Sequence, residues 1–213
     1  MRRSWWRRNG GWLIAMPLIL ALTIAASSQR MVNTYLRWRN TDPVTAVDGT
    51  AHLSQDFEYL EEQHRLEVTA TVVGISNPDH LEEGWSTIVA APDGVLWQID
   101  VEFRADPDQI LSACQGLLVS DGVKYGPNAA KVDAETGDRG GMLGTYLLQC
   151  VPSDTPGPRF DPFGPGIEPA ETPRPPQWVS SLTFVLPSGV TPEELHLWWH
   201  EPRYLRFPLE VDR

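Results

Sequence analysis

His196 and His200 are separated by three residues, a spacing that on a helix would let two imidazoles share one metal ion. The run Leu195-His196-Leu197-Trp198-Trp199-His200 instead alternates like a strand. On a strand the two rings lie on one face but about 13 Å apart, too far for one ion. They are expected to be ordinary surface histidines. Asp133-Ala134-Glu135-Thr136-Gly137-Asp138 is rich in oxygen donors, but the regular ligand spacing of a helix-loop-helix calcium site is missing, which favours a solvated loop. No Gly-x-Ser-x-Gly elbow occurs, and Gly140-Gly141 and Gly144 are not followed by the Gly-Lys-Ser/Thr of a phosphate loop. No catalytic, cofactor-binding or metal-binding residue is expected, and the protein is read as non-enzymatic.

The two cysteines, Cys114 and Cys150, carry the remaining side-chain chemistry. A reactive thiol needs a basic neighbour to lower its pKa, and neither cysteine has one nearby in sequence. In an oxidising compartment they would form a disulfide; two free buried thiols are the alternative. The aromatic residues offer a different chemistry, that of binding. Trp85, Trp97, Trp178, Trp198 and Trp199 suit a core, or an aromatic platform for a glycan or a protein. Adjacent residues of a strand point to opposite faces, so at most one of Trp198 and Trp199 is expected in the core. Trp198, Trp199, Phe160 and Phe163 are therefore the candidate interaction surface.

The elements that would position these groups are short strands. Val95, Trp97, Ile99, Val101 and Phe103 alternate with Gln98, Asp100, Glu102 and Arg104, as in a half-buried antiparallel strand. Pro92-Asp93-Gly94 is a turn signal expected to join it to 86–91 as a hairpin. Residues 66–75, 117–119, 123–125, 143–151, 178–186, 195–199 and 204–209 read as further strands, with Asp121-Gly122 as a tight turn. Thr191-Pro192-Glu193-Glu194 has the signature of one capped helical turn, and 109–113 that of a short helical stretch. Residues 152–177 contain nine prolines among 26, which favours extended chain: an inert loop, a strap over one sheet, or a recognition peptide. Phe160 and Phe163 would let it fold back on the sandwich. The expected architecture is an all-β antiparallel sandwich over 50–213, preceded by a tether at 40–49.

Asp121-Gly122-Val123-Lys124-Tyr125, Phe184-Val185-Leu186-Pro187 and Leu195-His196-Leu197 follow one another in an order that resembles the telokin-like, immunoglobulin-like domains of bacterial surface proteins. The resemblance covers about residues 50–210. It implies an immunoglobulin-like sandwich with an interaction role and no catalytic residues. The proline-rich insertion and the cysteine pair depart from the family's usual pattern.

Charge divides the chain. There are 17 Lys and Arg against 28 Asp and Glu, a net charge of −11. Residues 1–40 hold seven arginines and no acid, +7, leaving 10 bases and 28 acids, −18, in the rest. A body of that charge repels phosphate, which argues against nucleic acid as a partner. Residues 9–29 form an uncharged run of 21, and as a helix it would reach about 31 Å, close to the hydrocarbon thickness of a bilayer. Arg2, Arg3, Arg7 and Arg8 precede it, favouring a cytoplasmic N-terminus, although Arg30, Arg37 and Arg39 follow. Residues 1–39 are thus expected to be a cytoplasmic stub and transmembrane anchor in the lipid bilayer. The alternatives are a cleaved signal peptide, with small residues at Thr23, Ala25 and Ser27, and a buried soluble helix. The first two place the body outside the cytoplasm. The expected role is interaction or scaffolding with an envelope or membrane protein partner; the rival is an exported carbohydrate- or small-ligand-binding domain.

Overall fold

The structure, a computed structural model, describes residues 9, 15–17, 19–20, 23, 40–59, 61–83, 86–127, 130–138, 146–161, 164 and 166–211. The chain divides into two compact units, Met1–Arg39 and Asn40–Arg213. In the first, the described residues are helical, and Thr23 Oγ1 donates to Ile19 O at 2.8 Å, one turn back. Among the described residues no helix is long and apolar enough to cross a membrane, and most of the expected anchor lies outside them.

The second unit is built of strands. β2 (Thr50–Tyr59) and β3 (Glu62–Ser76) form a hairpin, β6 (Gly94–Arg104) pairs with β3, and β12 (Gln177–Pro187) pairs with β6 along its full length. A second sheet runs in the order β1 (Asp42–Thr45), β14 (Arg203–Pro208), β13 (Glu194–Trp198), β7 (Gln115–Ser120), β8 (Val123–Tyr125). Its pairs are antiparallel except β1–β14. Alternation decides which side chains go inward. Leu66, Val68 and Ala70 of β3, Ile99, Val101 and Phe103 of β6, and Trp178, Leu182, Phe184 and Leu186 of β12 share one apolar core. Leu118, Leu195, Leu197, Leu205 and Phe207 of the other sheet enter the same core. At about 1.5–3 kcal/mol for each large apolar side chain buried, this shared core dominates the unit's stability.

Two smaller sheets lie outside this pair: β4 (Leu81–Glu83), β5 (Ser86–Ala90) and β9 (Lys131–Asp133), and the two-residue ladder of β10 (Arg159–Phe160) with β11 (Ile167–Glu168). The turn at Pro92-Asp93-Gly94 forms as expected, with Gly94 N–H donating to Ala91 O at 2.9 Å and Asp93 at a φ of +65°. The hairpin does not. A strand has two edges, and those of β6 are taken by β3 and β12, so β5 pairs with β4 and β9 instead.

Other expectations are corrected. The tether assigned to 40–49 contains β1, and the Asp48-Gly49 turn, with φ of +49° and +73°, leads straight into β2. In 143–151, the described residues 146–151 make a single bridge, Leu147 to Gln115, in place of a strand. No helical turn forms at Thr191–Glu194, because the sheet claims the backbone: Glu193 N–H donates to Val119 O and Glu193 O accepts from Leu209 N–H. Residues 109–113 form no helix, and only 112–113 make a turn. The carbonyls of Gln109 and Leu111 serve Arg174 and Trp199, and Ala113 has a φ of +64°, which a right-handed helix does not allow.

Candidate functional site

The proline-rich segment is tied to the domain at three points. Arg174 is 1% exposed although it stands between two prolines in an open-looking stretch. Its Nη1 donates to Pro156 O at 3.0 Å, and its Nη2 donates to Asp106 O and Gln109 O, both at 2.9 Å. The guanidinium lies 4.8 Å above the Trp178 ring, a cation–π contact. Burial pushes its pKa down, and the carboxylates of Asp106 and Asp108 oppose that shift. Gly157 is required beside it, since a Cβ there would come 2.6 Å from Arg174 Nη1. The second tie is Cys150, bonded to Cys114 with a Cα separation of 5.9 Å, whose carbonyl accepts from Trp178 Nε1 at 2.8 Å.

The third tie is aromatic. Phe57 and His64 face each other across the β2–β3 ladder, and their rings stack with centroids 5.4 Å apart. His200 stacks on Phe57 at 3.9 Å. Phe160, from β10, lies 4.0 Å from the Tyr59 ring and edge-on to Phe57 at 6.2 Å. Five rings from four parts of the chain thus gather at this end of the hairpin. Burial depresses the His200 pKa, opposed by the charge of Glu201. Proline density favours extended chain throughout 152–177, yet one short ladder forms within it. The β10–β11 ladder forms because its four positions carry no proline, and Arg159 Nε reinforces it with a salt bridge to Glu168 at 2.5 Å. Beside it is a groove of about 470 Å³ lined by Asp154, Pro156, Arg159, Glu168, Glu171 and Thr172, among others.

The residues singled out from sequence separate. Phe160 joins the ring cluster; Phe163 lies outside the described residues. Trp198 and Trp199 are both buried, each 4% exposed, so neither offers an open platform. Trp199 is in the core, with its Nε1 donating to Leu111 O at 3.1 Å. Trp198 ends β13 on the outward face, as alternation requires, yet it is covered, with Tyr146 at 5.8 Å. The disulfide holds 146–151 beside β7, and that placement brings Tyr146 to Trp198. Trp97 and Trp178 are likewise buried, at 8% and 7%.

His196 and His200 do not share a strand, since β13 ends at Trp198. His196 is on the outward face among charged groups. Its Nε2–H donates to Glu194 Oε2 at 2.8 Å, and its ring is 4.8 Å from that of Tyr204. Arg206, directly opposite His196, donates two hydrogen bonds to the Glu194 carboxylate. These bonds hold the Glu194 pKa at about 2, against the opposing effect of burial. Burial lowers the His196 pKa, and Glu194 opposes that. Asp133 Oδ1 accepts from the N–H groups of Glu135 and Thr136, at 2.9 and 2.8 Å, so this oxygen of the acidic loop closes the loop on itself. Among the described residues no three His, Cys, Asp or Glu side chains are grouped to hold a metal ion.

Arg174, Phe57, Tyr59 and His64 were not singled out from sequence. Arg174 is the one base between Arg159 and Arg203, isolated among prolines, and that isolation is a readable signal. Phe57 and Tyr59 alternate just before a turn and His64 follows it, a pattern that marks a hairpin end rich in rings.

Compared with known proteins, the chain matches no family model, no curated protein and no solved structure.

Proposed function

We propose that this protein is a membrane-anchored, extracytoplasmic interaction or scaffolding module of the cell envelope, non-enzymatic, with an immunoglobulin-like β-sandwich as its body. The contact surface is the end of the β2–β3 hairpin where the proline-rich strap crosses it. The observation that carries this reading is the way Arg174 pins the strap: one buried guanidinium holds three backbone carbonyls from two separate loops. A long irregular segment fixed in one conformation lowers the ordering cost of binding, so it is suited to present a shaped surface to a partner. Phe160, Tyr59 and Phe57 supply ring area at that surface. The uncharged run 9–29 supplies the anchor, and the arginines of the head suit anionic headgroups on the cytoplasmic side. The −18 body stays in solution outside.

The test is site-specific photo-cross-linking from position 160 in intact membranes. The reading expects one predominant protein adduct, lost in Arg174→Met and absent when the cross-linker is placed instead at Val73, on the exposed outer face of β3. Adducts of equal yield from both positions would overturn it. A second reading, an exported carbohydrate- or small-ligand-binding domain, is favoured by the groove beside β10 and β11, where Asp154, Arg159, Glu168 and Thr172 offer both donors and acceptors. Saturable binding of a sugar, weakened by Arg159→Ala, would select it.

A further inference from the structure

β12 stands at the edge of its sheet, paired only with β6 among the described residues. Ala105 N–H donates to Pro176 O, and Ser188 N–H donates to Asp93 O. Both bonds lie in the register that pairs Trp178 with Phe103 and Leu182 with Ile99. Hydrogen-bonded pairs alternate along an antiparallel ladder. Trp178, Ser180, Leu182, Phe184 and Leu186 therefore direct their N–H and C=O groups at β6. Gln177, Val179, Ser181, Thr183 and Val185 direct theirs away from it, and no backbone hydrogen bond to them is made by any other described residue.

Edge strands are normally guarded by charge, proline, a bulge or shortness. β12 has 11 residues in unbroken register, with its one proline at the last position and no charge anywhere. Other edges are guarded. β1 and β8 have four and three residues. β2 is closed by the chain around β14, where Arg203 Nη1 donates to Ser54 O at 2.8 Å and Gln55 Nε2 to Glu201 O at 3.1 Å. Charge selects the occupant of this edge, which no other described strand pairs. Residues 175–192 carry no Asp, Glu, Lys or Arg, the longest such run in a body of net −18. Two such bodies repel one another, least so along this strip.

From this geometry we infer that β12 pairs antiparallel with β12 of a second copy of the chain about a two-fold axis, joining two four-stranded sheets into one of eight strands. Antiparallel pairing of identical strands is self-complementary, as a two-fold contact requires. Outward-directed residues meet outward-directed residues, and a pairing centred on Ser180 sets Val179 opposite Ser181 of the second copy. Val179 is 56% exposed and available. The nearest facing carboxylates on the polar side, Asp100 and Glu102 of β6, would lie three strand spacings from their counterparts. That is about 14 Å, beyond the screening length of about 8 Å at physiological salt. This inference does not rest on the proposed role of the strap.

The test is the sedimentation mass of the full-length chain in non-ionic detergent over two decades of concentration, together with amide hydrogen exchange. The wild type is expected to pass from monomer to dimer. Val179→Lys and Val179→Asp, which place either sign of charge on the edge, are expected to weaken the dimer at least tenfold. Val123→Lys, on β8, is expected to leave it unchanged. The N–H groups of Val179 and Ser181 gain protection in the dimer, while those of Ser180 and Leu182 are protected in both forms. A wild type that stays monomeric overturns the inference, including one whose outward amides become protected only by a different protein. So does a dimer indifferent to both Val179 substitutions, or one equally weakened by Val123→Lys. Normal protection of Ser180 and Leu182 in each variant shows that it has folded.

Discussion

A single arginine does most to hold the strap. Arg174 satisfies three backbone carbonyls with a planar fork of donors. Arg174→Met keeps much of the volume but leaves those carbonyls unpaired. The expected loss is about 3 kcal/mol, read as a fall in the urea midpoint at neutral pH. Arg174→Lys keeps the charge, but a point ammonium cannot span the three acceptors, so it should recover less than half of the loss. His196, His200 and Glu194 set the response to acid. Their pKa values are all lowered in the folded state, so the unfolded chain takes up protons first and stability falls with pH. The two histidines act first, below about pH 6.5. Glu194 acts between its ordinary value of 4.5 and its folded value of about 2. Solvent screening at the partly exposed Arg206 limits that second contribution to about 2 kcal/mol. Urea midpoints measured against pH should show both declines; Glu194→Gln should weaken the lower one and, because Glu194 opposes the downward shift at His196, deepen the upper.

At the scale of elements, alternation and turns are readable and partners are not. β6, β12, β13 and β14 lie within a residue or two of where alternating apolar residues place them, because a half-buried strand must repeat with period two. The Asp121-Gly122 turn closes the β7–β8 hairpin, since both residues tolerate the positive φ of a two-residue hairpin turn. The hairpin expected between β5 and β6 fails because turn chemistry specifies a reversal, whereas pairing depends on which edges stay free after long-range contacts form. The same competition removes the helical turn at Thr191–Glu194, where a ladder already in place outweighs a local cap. The opposite-face rule for Trp198 and Trp199 holds for direction and fails for burial, because an outward face becomes interior when another segment covers it.

For the whole molecule, the disulfide is the strongest covalent constraint. Cys114 and Cys150 close a loop with a sequence separation of 36 and sit in the core at 1% exposure each. By loop-closure entropy, replacing both with serine should lower stability by about 3–4 kcal/mol. Chemical denaturation of the oxidised protein against the Cys114→Ser, Cys150→Ser variant would measure it, and a difference under about 1 kcal/mol would mean that the cross-link adds little beyond packing.

Composition and spacing alone determined the separation of a +7 head from a −18 body, the strand-rich class, the turns and the two cysteines available to pair. These are local or additive properties, carried by neighbours in the chain. Tertiary structure alone decided that an isolated arginine would become the hub of the strap and that adjacent tryptophans would both be buried. It also decided that Phe57, Tyr59, His64, Phe160 and His200 would meet. Each of these depends on residues distant in sequence, up to 143 apart for Phe57 and His200, and such contacts are chosen by the competition of all strands for edges and of all apolar faces for cover.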